Sequence, residues 1–414
     1  MIKAVAGALV PIIIVGILLF VFGPKLSNRA SVPSGPVTIK YFGFEDESVI
    51  LPILQEFEKN NPGIKVNYNR QSNINYRTRV QTQIREGVGP DIFTIHASWT
   101  KMFSGDLAAA PGDVLSLTDF QNTFFPVAAE SFLDNNRIFG VPNEIDGLAL
   151  YYNEEILTGA GVQVPKTWQE FIDAATKVTV KDSTGVIKTA GAALGTASNV
   201  DFWPDILGLL LLQQPGVSPA EPVSPQVTDV LKFYTGFVTD PARKTWDTTL
   251  LPSTTMFAQG TLAFYFAPSA EAPRLSATNP NLKFRIASVP QLPGRNVAWG
   301  SFWGNAVSVK SKHKNESWKL AKFLAEKEQE KQKIKSADPL LSVFVSQGPI
   351  YKSWYLSSGT KDLGINDEMI KVWEEAVNAI LSGTPPQSAL QNIDPKVKKI
   401  LETYTVLPTS TPRK

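Results

Sequence analysis

The chain has 414 residues, with 40 basic and 38 acidic side chains and no cysteine. That length supports two or more domains with cores of their own, and the nearly cancelling charge leaves no basic footprint for nucleic acid and no polybasic membrane patch. Without cysteine there is no disulfide, no thiolate metal ligand, no thiol nucleophile and no cysteine to carry a lipid anchor.

Ala4 to Gly23 is an uncharged run of about 20 residues, the length that crosses a hydrocarbon core of roughly 30 Å. A cleaved signal peptide has a shorter apolar region, about 7–15 residues, and a small-x-small cleavage site. Asn28 stands where Asn28-Arg29-Ala30 would need a small residue, so residues 1–23 are expected to be an uncleaved transmembrane signal anchor. Lys3 and the amino terminus oppose Lys25 and Arg29, so charge does not set the orientation. Residues 24–36, rich in Ser, Pro, Asn and Gly without an apolar period, are expected to be a flexible tether.

Val37 to Phe42 alternates as a strand, Ile50, Ile53, Leu54 and Phe57 recur at helical spacing, and Ile64, Val66 and Tyr68 alternate again. Strand, helix and strand within about 30 residues predict a βαβ unit in a parallel sheet. A second helix over about Tyr76–Arg85 stops at Gly87, Gly89 and Pro90, and a strand follows at Asp91–Ile95. Leu148-Ala149-Leu150-Tyr151-Tyr152 is a strand-type run, with one of the two tyrosines facing inward because a strand alternates. Thr167 and Glu170 form a capping box at the start of a helix carrying Phe171, Ile172, Ala175 and Val178. Asp205–Leu212 is apolar all round and predicts a buried helix, too short to span a bilayer. Strands are predicted at Gly260–Phe266 and Phe284–Pro290, and a helical stripe at Ile370, Trp373, Val377 and Ile380. Asp394-Pro395 predicts the start of a last helix, with Asp as cap and Pro at the first helical position. Residues 408–414 are expected to be a disordered tail.

Several segments resemble, in order, the family 1 extracellular solute-binding proteins of ABC importers, the group containing maltose-binding protein. They are Phe57-Glu58-Lys59-Asn60-Asn61-Pro62-Gly63-Ile64-Lys65-Val66, Gly87-Val88-Gly89-Pro90-Asp91-Ile92, Gly140 to Glu170, Phe257 to Phe264, and Trp299-Gly300-Ser301-Phe302-Trp303-Gly304 with Trp318 to Leu324. Each alone is a common turn or cap, and their order at plausible spacing carries the resemblance over nearly all of residues 37–405. It implies an α/β, two-lobed, periplasmic-binding-protein-like clamshell with discontinuous lobes and mainly parallel sheets, preceded by the transmembrane helix. Lobe 1 is expected at 37–145 and 299–338, and lobe 2 at 146–298 and 339–407. The chain would cross between lobes near Glu144–Gly147, Asn296–Trp299 and Ala337–Val343.

A sugar cleft needs flat apolar faces for C–H surfaces and polar groups for hydroxyls. At the lobe-facing loops that the resemblance implies, the ligand-binding candidates are Phe44, Glu45, Asp46, Ser98, Trp99, Asp146, Tyr151, Trp203, Pro268, Ser269, Trp299, Phe302 and Trp303. Trp99 and Trp303 read equally well as core, and Glu45 and Asp46 equally well as caps of the first helix. Trp168, Trp318 and Trp373 lie on helix stripes and read as core. Only His96 and His313 supply imidazoles, and no H-E-x-x-H, Walker A or G-x-S-x-G pattern occurs. No enzyme activity, metal or cofactor is therefore expected.

The resemblance implies an extracytoplasmic binding component of an ABC importer that captures a carbohydrate by hinge closure. Its partners would be a small-molecule sugar and membrane permease subunits, with no nucleic acid, and the chain would be a monomer. It would sit at the cell membrane, single-pass, with the binding domain outside the cytoplasm. The alternative is a non-transport surface glycan-binding or sensor-partner protein built on the same clamshell. A glycosidase using Glu45 with Glu144 or Asp146 is the weaker one.

Overall fold

Residues 36–404 are described by the structure, a computed structural model. The expected anchor, all but the last residue of the tether, and the tail lie outside the described residues. Among the described residues no helix is long and apolar enough to cross a membrane.

Two sheets organise the molecule. In the first, the strands Ile64–Arg70, Val37–Gly43, Ile92–His96, Trp303–Ser308 and Leu107–Ala108 lie side by side, and Val141–Glu144 also pairs with Trp303–Ser308. Val37 faces Ile64, and Tyr41 faces Ile92, both in parallel register. The helix Glu47–Asn60 makes the crossover and buries Ile50, Leu54 and Phe57, the stripe its spacing predicts. Helix Lys314–Ala337 packs over Val141–Glu144 and Trp303–Ser308 and closes this layer.

The second sheet runs Phe284–Ala287, Ala149–Asn153, Leu262–Ala267, Ile187–Ala192, Val180–Lys181. The helices Trp168–Val178, Trp203–Gln213, Pro225–Thr239, Ile365–Leu381 and Pro386–Thr403 belong with it. Nearly every side chain of Trp203–Gln213 is buried, as its all-round apolar sequence predicts. Within it Gly208 leaves room for an indole: a Cβ there would stand 2.3 Å from the ring of Trp299.

The expectation of mainly parallel sheets is corrected: both are mixed. Trp303–Ser308 is antiparallel to all three of its neighbours, and Ala149–Asn153 is antiparallel to both of its own. Each is the first strand its sheet receives after the chain has crossed from the other sheet. Such a strand is not delivered by a βαβ crossover, so nothing forces it parallel.

The last helix also differs from its prediction. It begins at Pro386 and contains Pro395, with Asp394 paired to Lys398 at 2.8 Å instead of capping. Ala389, Leu390, Ile393, Val397, Ile400 and Leu401 form one buried stripe on either side of the proline. Packing of that stripe against Ile365–Leu381 outweighs the backbone hydrogen bond that Pro395 cannot donate.

The capping box at Thr167 is present. Thr167 Oγ1 accepts from the Glu170 N–H, and Glu170 Oε2 accepts from the N–H groups of Thr167 and Lys166. Thr167→Ala is expected to cost about 1 kcal/mol, read as a shift in urea midpoint, with Thr167→Ser restoring most of it. An unchanged midpoint in the alanine variant would show that burial of Trp168 alone starts this helix.

Between the sheets, three chain segments lie together. Leu148 N donates to Trp299 O at 3.0 Å, Ser301 N to Asp146 O at 2.9 Å, and Gly300 N to Lys352 O at 2.8 Å. Ala298–Trp299 pairs in parallel with Tyr351–Lys352, and Gly147 bridges Gly300. This narrow junction is where the two lobes meet.

Candidate ligand-binding cleft

The first sheet has its order reversal beside Val37–Gly43, which pairs with Ile64–Arg70 on one side and Ile92–His96 on the other. Loops leaving strand ends at such a point open a crevice, the usual ligand position in α/β sheets. A cavity of about 600 Å³ lies there, between this edge and the second lobe. The size is within the range of small-molecule sites.

Its first-lobe wall carries Tyr41, Phe44, Glu45, Asn143, Trp303 and Asn305, together with Val49 and Ile53 from the helix behind Phe44. Phe44 and Trp303 meet edge to face at 5.1 Å between centroids and are both partly exposed. Tyr41 donates to Asn305 Oδ1 at 3.1 Å, and Asn305 Nδ2 donates to Asn143 Oδ1 at 2.6 Å. Burial pushes the Tyr41 phenol up to about 12, so it is a neutral donor throughout the physiological range.

The second lobe contributes Phe202, Asp205, Pro268 and Ala270. Asp205 is buried and accepts from Trp299 Nε1 at 2.8 Å and from the Ser358 N–H at 3.2 Å. Burial raises its carboxyl to about 6, against the lowering effect of those hydrogen bonds.

At the junction Asp146 accepts from Ser269 Oγ at 2.6 Å and from its N–H at 3.1 Å. Lys335, from the first-lobe helix Lys314–Ala337, donates to Ser269 Oγ and to Glu144 Oε1, each at 2.7 Å. One lysine thus ties first-lobe, junction and second-lobe residues. Burial raises the Asp146 carboxyl, and the Lys335 charge opposes that rise.

The profile of the family described as bacterial extracellular solute-binding protein matches residues 45–331. The chain belongs to that family. Among solved structures, this solute-binding protein is similar to the sugar-binding protein MalE of Xanthomonas citri. The TM-score is 0.72 at 20% identity, covering 91% of this chain and 100% of that one. A substrate-binding protein of Listeria monocytogenes in complex with cycloalternan aligns with TM-score 0.67 at 21% identity, covering 88% and 98%. At such identities the likeness shows the two-lobed fold. The galactooligosaccharide-binding protein of Bacillus subtilis is 22% identical over 420 residues, 90% of each chain.

Of the residues singled out from sequence, the solute-binding protein places Phe44, Glu45, Asp146, Pro268, Trp299, Phe302 and Trp303 in the cavity wall. Trp299 and Phe302 offer it little surface, being almost wholly buried. Asp46 is outside the wall; it caps the helix Glu47–Asn60 and pairs with Arg70 at 2.7 Å. Trp99 is core, stacked on Phe103, edge to face with Trp303 and tilted against Tyr76. Ser98 lies behind the wall, bonded to His96 and Asn366. Tyr151 is the inward tyrosine of its strand but points into the second-lobe core, where its hydroxyl donates to Pro268 O at 2.7 Å. Trp203 is buried and its neighbours Phe202 and Asp205 line the cavity instead, while Asp201 is bound to Ser253 and Thr254. Ser269 acts on Asp146 and is not itself in the wall.

The sequence reading missed the largest contributor, one face of the helix Lys314–Ala337. Leu324, Lys327, Glu328, Lys331, Gln332 and Lys335 follow each other at three- and four-residue steps along the cavity. Their spacing was readable as one helix face, but a charged face carries no sign that it meets a cleft and not solvent. Glu328 pairs with Lys331 at 2.5 Å, and burial nevertheless raises its carboxyl.

Proposed function

We propose that this solute-binding protein captures a neutral oligosaccharide between its lobes as the extracytoplasmic receptor of an ABC importer. One observation carries the reading. A cavity of about 600 Å³ has exposed aromatic surface from both lobes, Phe44 and Trp303 on one side and Phe202 on the other, interleaved with Asn143, Asp205 and Ser301. Aromatic faces cover sugar C–H surfaces and the fixed polar groups match hydroxyls, since an unmatched buried polar group costs about 1–3 kcal/mol. The sugar ligands named for similar proteins support the same class.

Binding would act through the junction. A ligand that touches both walls favours the closed arrangement by its differential affinity for that form. The closed face would then be what permease subunits recognise. The uncharged run Ala4–Gly23 supports the further reading of a membrane anchor that holds the domain near its permease.

Calorimetric titration against maltotriose, mannobiose and galactooligosaccharides tests the sugar claim. A ligand present at about a thousand times its dissociation constant should stabilise the fold by roughly 4 kcal/mol. Binding of a peptide or polyamine with no response to any oligosaccharide would remove the carbohydrate reading and leave the family assignment standing.

A further inference from the structure

His96 ends the strand Ile92–His96 and is only 1% exposed, immediately behind the cavity wall. Its Nδ1 lies 3.2 Å from the backbone nitrogen of Ser98, in hydrogen-bonding geometry. A backbone N–H can only donate, so Nδ1 is the acceptor nitrogen of a neutral imidazole and the ring proton is on Nε2. The surrounding bonds agree. Asn366 Nδ2 donates to Ser98 Oγ at 2.7 Å, which leaves the Ser98 proton for His96 Nδ1, also at 2.7 Å. Asn366 is itself held by Asp362 Oδ2 at 2.8 Å. Burial keeps the imidazole neutral, lowering it to about 4, with the Asp362 charge opposing.

On the other side of the ring, Nε2 lies 3.2 Å from Ser301 Oγ. Ser301 is part of the cavity wall, its backbone fixed by the bond to Asp146 O at 2.9 Å. An Oγ that accepts from Nε2–H keeps its own proton to give. Among the described residues Ser301 Oγ has no other hydrogen-bond partner.

We propose that His96 is a positioning residue for the binding site: as the Nε2–H tautomer it sets the Ser301 hydroxyl as a donor aimed at the ligand, so this point of the cavity favours an accepting oxygen. The inference rests on the sugar reading only for the identity of the accepting atom, a ring, bridging or hydroxyl oxygen. A serine beside a histidine in a cleft also has the outline of a nucleophile and its base. The bond direction excludes that here, because a general base must take the serine proton and this ring nitrogen already carries one.

The tautomer is directly measurable, since His96 and His313 are the chain's two histidines. In the full chain labelled with 15N-histidine and carrying His313→Gln, the remaining ring should show a pyridine-type Nδ1 and a protonated, pyrrole-type Nε2. A protonated Nδ1 overturns the proposal. For maltotriose, or whichever oligosaccharide of the panel binds, Ser301→Ala and His96→Phe should each weaken binding about tenfold. His96→Gln, which keeps a donor near the Nε2 position, should stay within about threefold, and the double variant His96→Phe/Ser301→Ala should be no weaker than Ser301→Ala alone. Unchanged affinity in Ser301→Ala, or additive losses in the double variant, overturns the proposal. If no oligosaccharide binds the unsubstituted chain, the sugar reading fails by itself, and the ring-nitrogen spectrum then decides the position of the proton independently.

Discussion

Replacing Gly147 by alanine should destabilise the protein by about 3 kcal/mol or more, the upper end for an overpacked site. A Cβ at this position would stand 1.9 Å from the carbonyl oxygen of Trp299 and 2.6 Å from the ring of Tyr351. Neither neighbour can yield freely. The Trp299 carbonyl accepts from Leu148 N, and the Tyr351 hydroxyl donates to Phe344 O at 3.0 Å, so relief must separate the paired segments of the junction. Gly63→Ala is the control: nothing lies within 4 Å of a Cβ there, and its effect should stay within about 0.5 kcal/mol. Urea denaturation of both variants checks the claim, and equal midpoints would show that the junction segments are not held at the spacing described. Because this junction carries every covalent crossing between the sheets, the same variant should also lose ligand affinity.

Asp205→Asn should raise stability at pH 8 and leave it nearly unchanged at pH 4. The folded carboxyl titrates at about 6, above the ordinary value of about 3.9. A carboxyl raised by folding contributes stability that is fully present below about pH 4 and is lost as pH rises through 6. That difference amounts to roughly 3 kcal/mol, and the asparagine, which cannot ionise, should recover up to that much above pH 6. Its amide oxygen can still accept from Trp299 Nε1 and Ser358 N, the bonds the carboxylate makes. Asp205→Ala, by contrast, strands both donors and should be less stable than Asp205→Asn by about 1–3 kcal/mol for each at either pH. Urea melts at the two pH values test the sign, and a pH-independent gap between the asparagine variant and the parent would contradict it. In the proposed function the charged form has a use, since an ionised acceptor in the wall binds a sugar hydroxyl more strongly than a neutral one. Asp205→Asn should therefore be more stable at pH 8 and bind more weakly, a trade of stability for function.

How far the sequence could be read differs from residue to residue, and the reason is distance along the chain. Periodicity and caps are local, and they were legible. Ile50, Leu54 and Phe57 gave the buried face of the first helix, Thr167 with Glu170 gave a helix start, and the uniformly apolar run ending at Leu212 gave a helix buried nearly all round. The ordered motifs carried the family and with it two lobes. Asp394-Pro395 reads locally as a helix start, yet it lies inside a longer helix, because the amphipathic stripe on both sides of the proline packs on the helix Ile365–Leu381.

The site was only half legible for the same reason. Aromatic and acidic types near strand ends could be named, but not the way they face: Tyr151 is buried in core while Phe44 and Trp303 keep exposed surface. The Asp205 carboxylate depends on Trp299 and Ser358, residues 94 and 153 positions away, and Ser301 depends on His96 across 205 positions. The sequence by itself determined the buried stripe of the helix Glu47–Asn60, the helix start at Thr167, the buried helix ending near Leu212 and the family the chain joins, because those signals rest on neighbouring residues. Tertiary structure alone decided that Ala149–Asn153 and Trp303–Ser308 enter their sheets antiparallel, that the lysine-bearing helix face turns to the cavity, and the direction of the hydrogen bonds behind it. Each of these is fixed by a partner from a remote part of the chain, and only packing brings the two together.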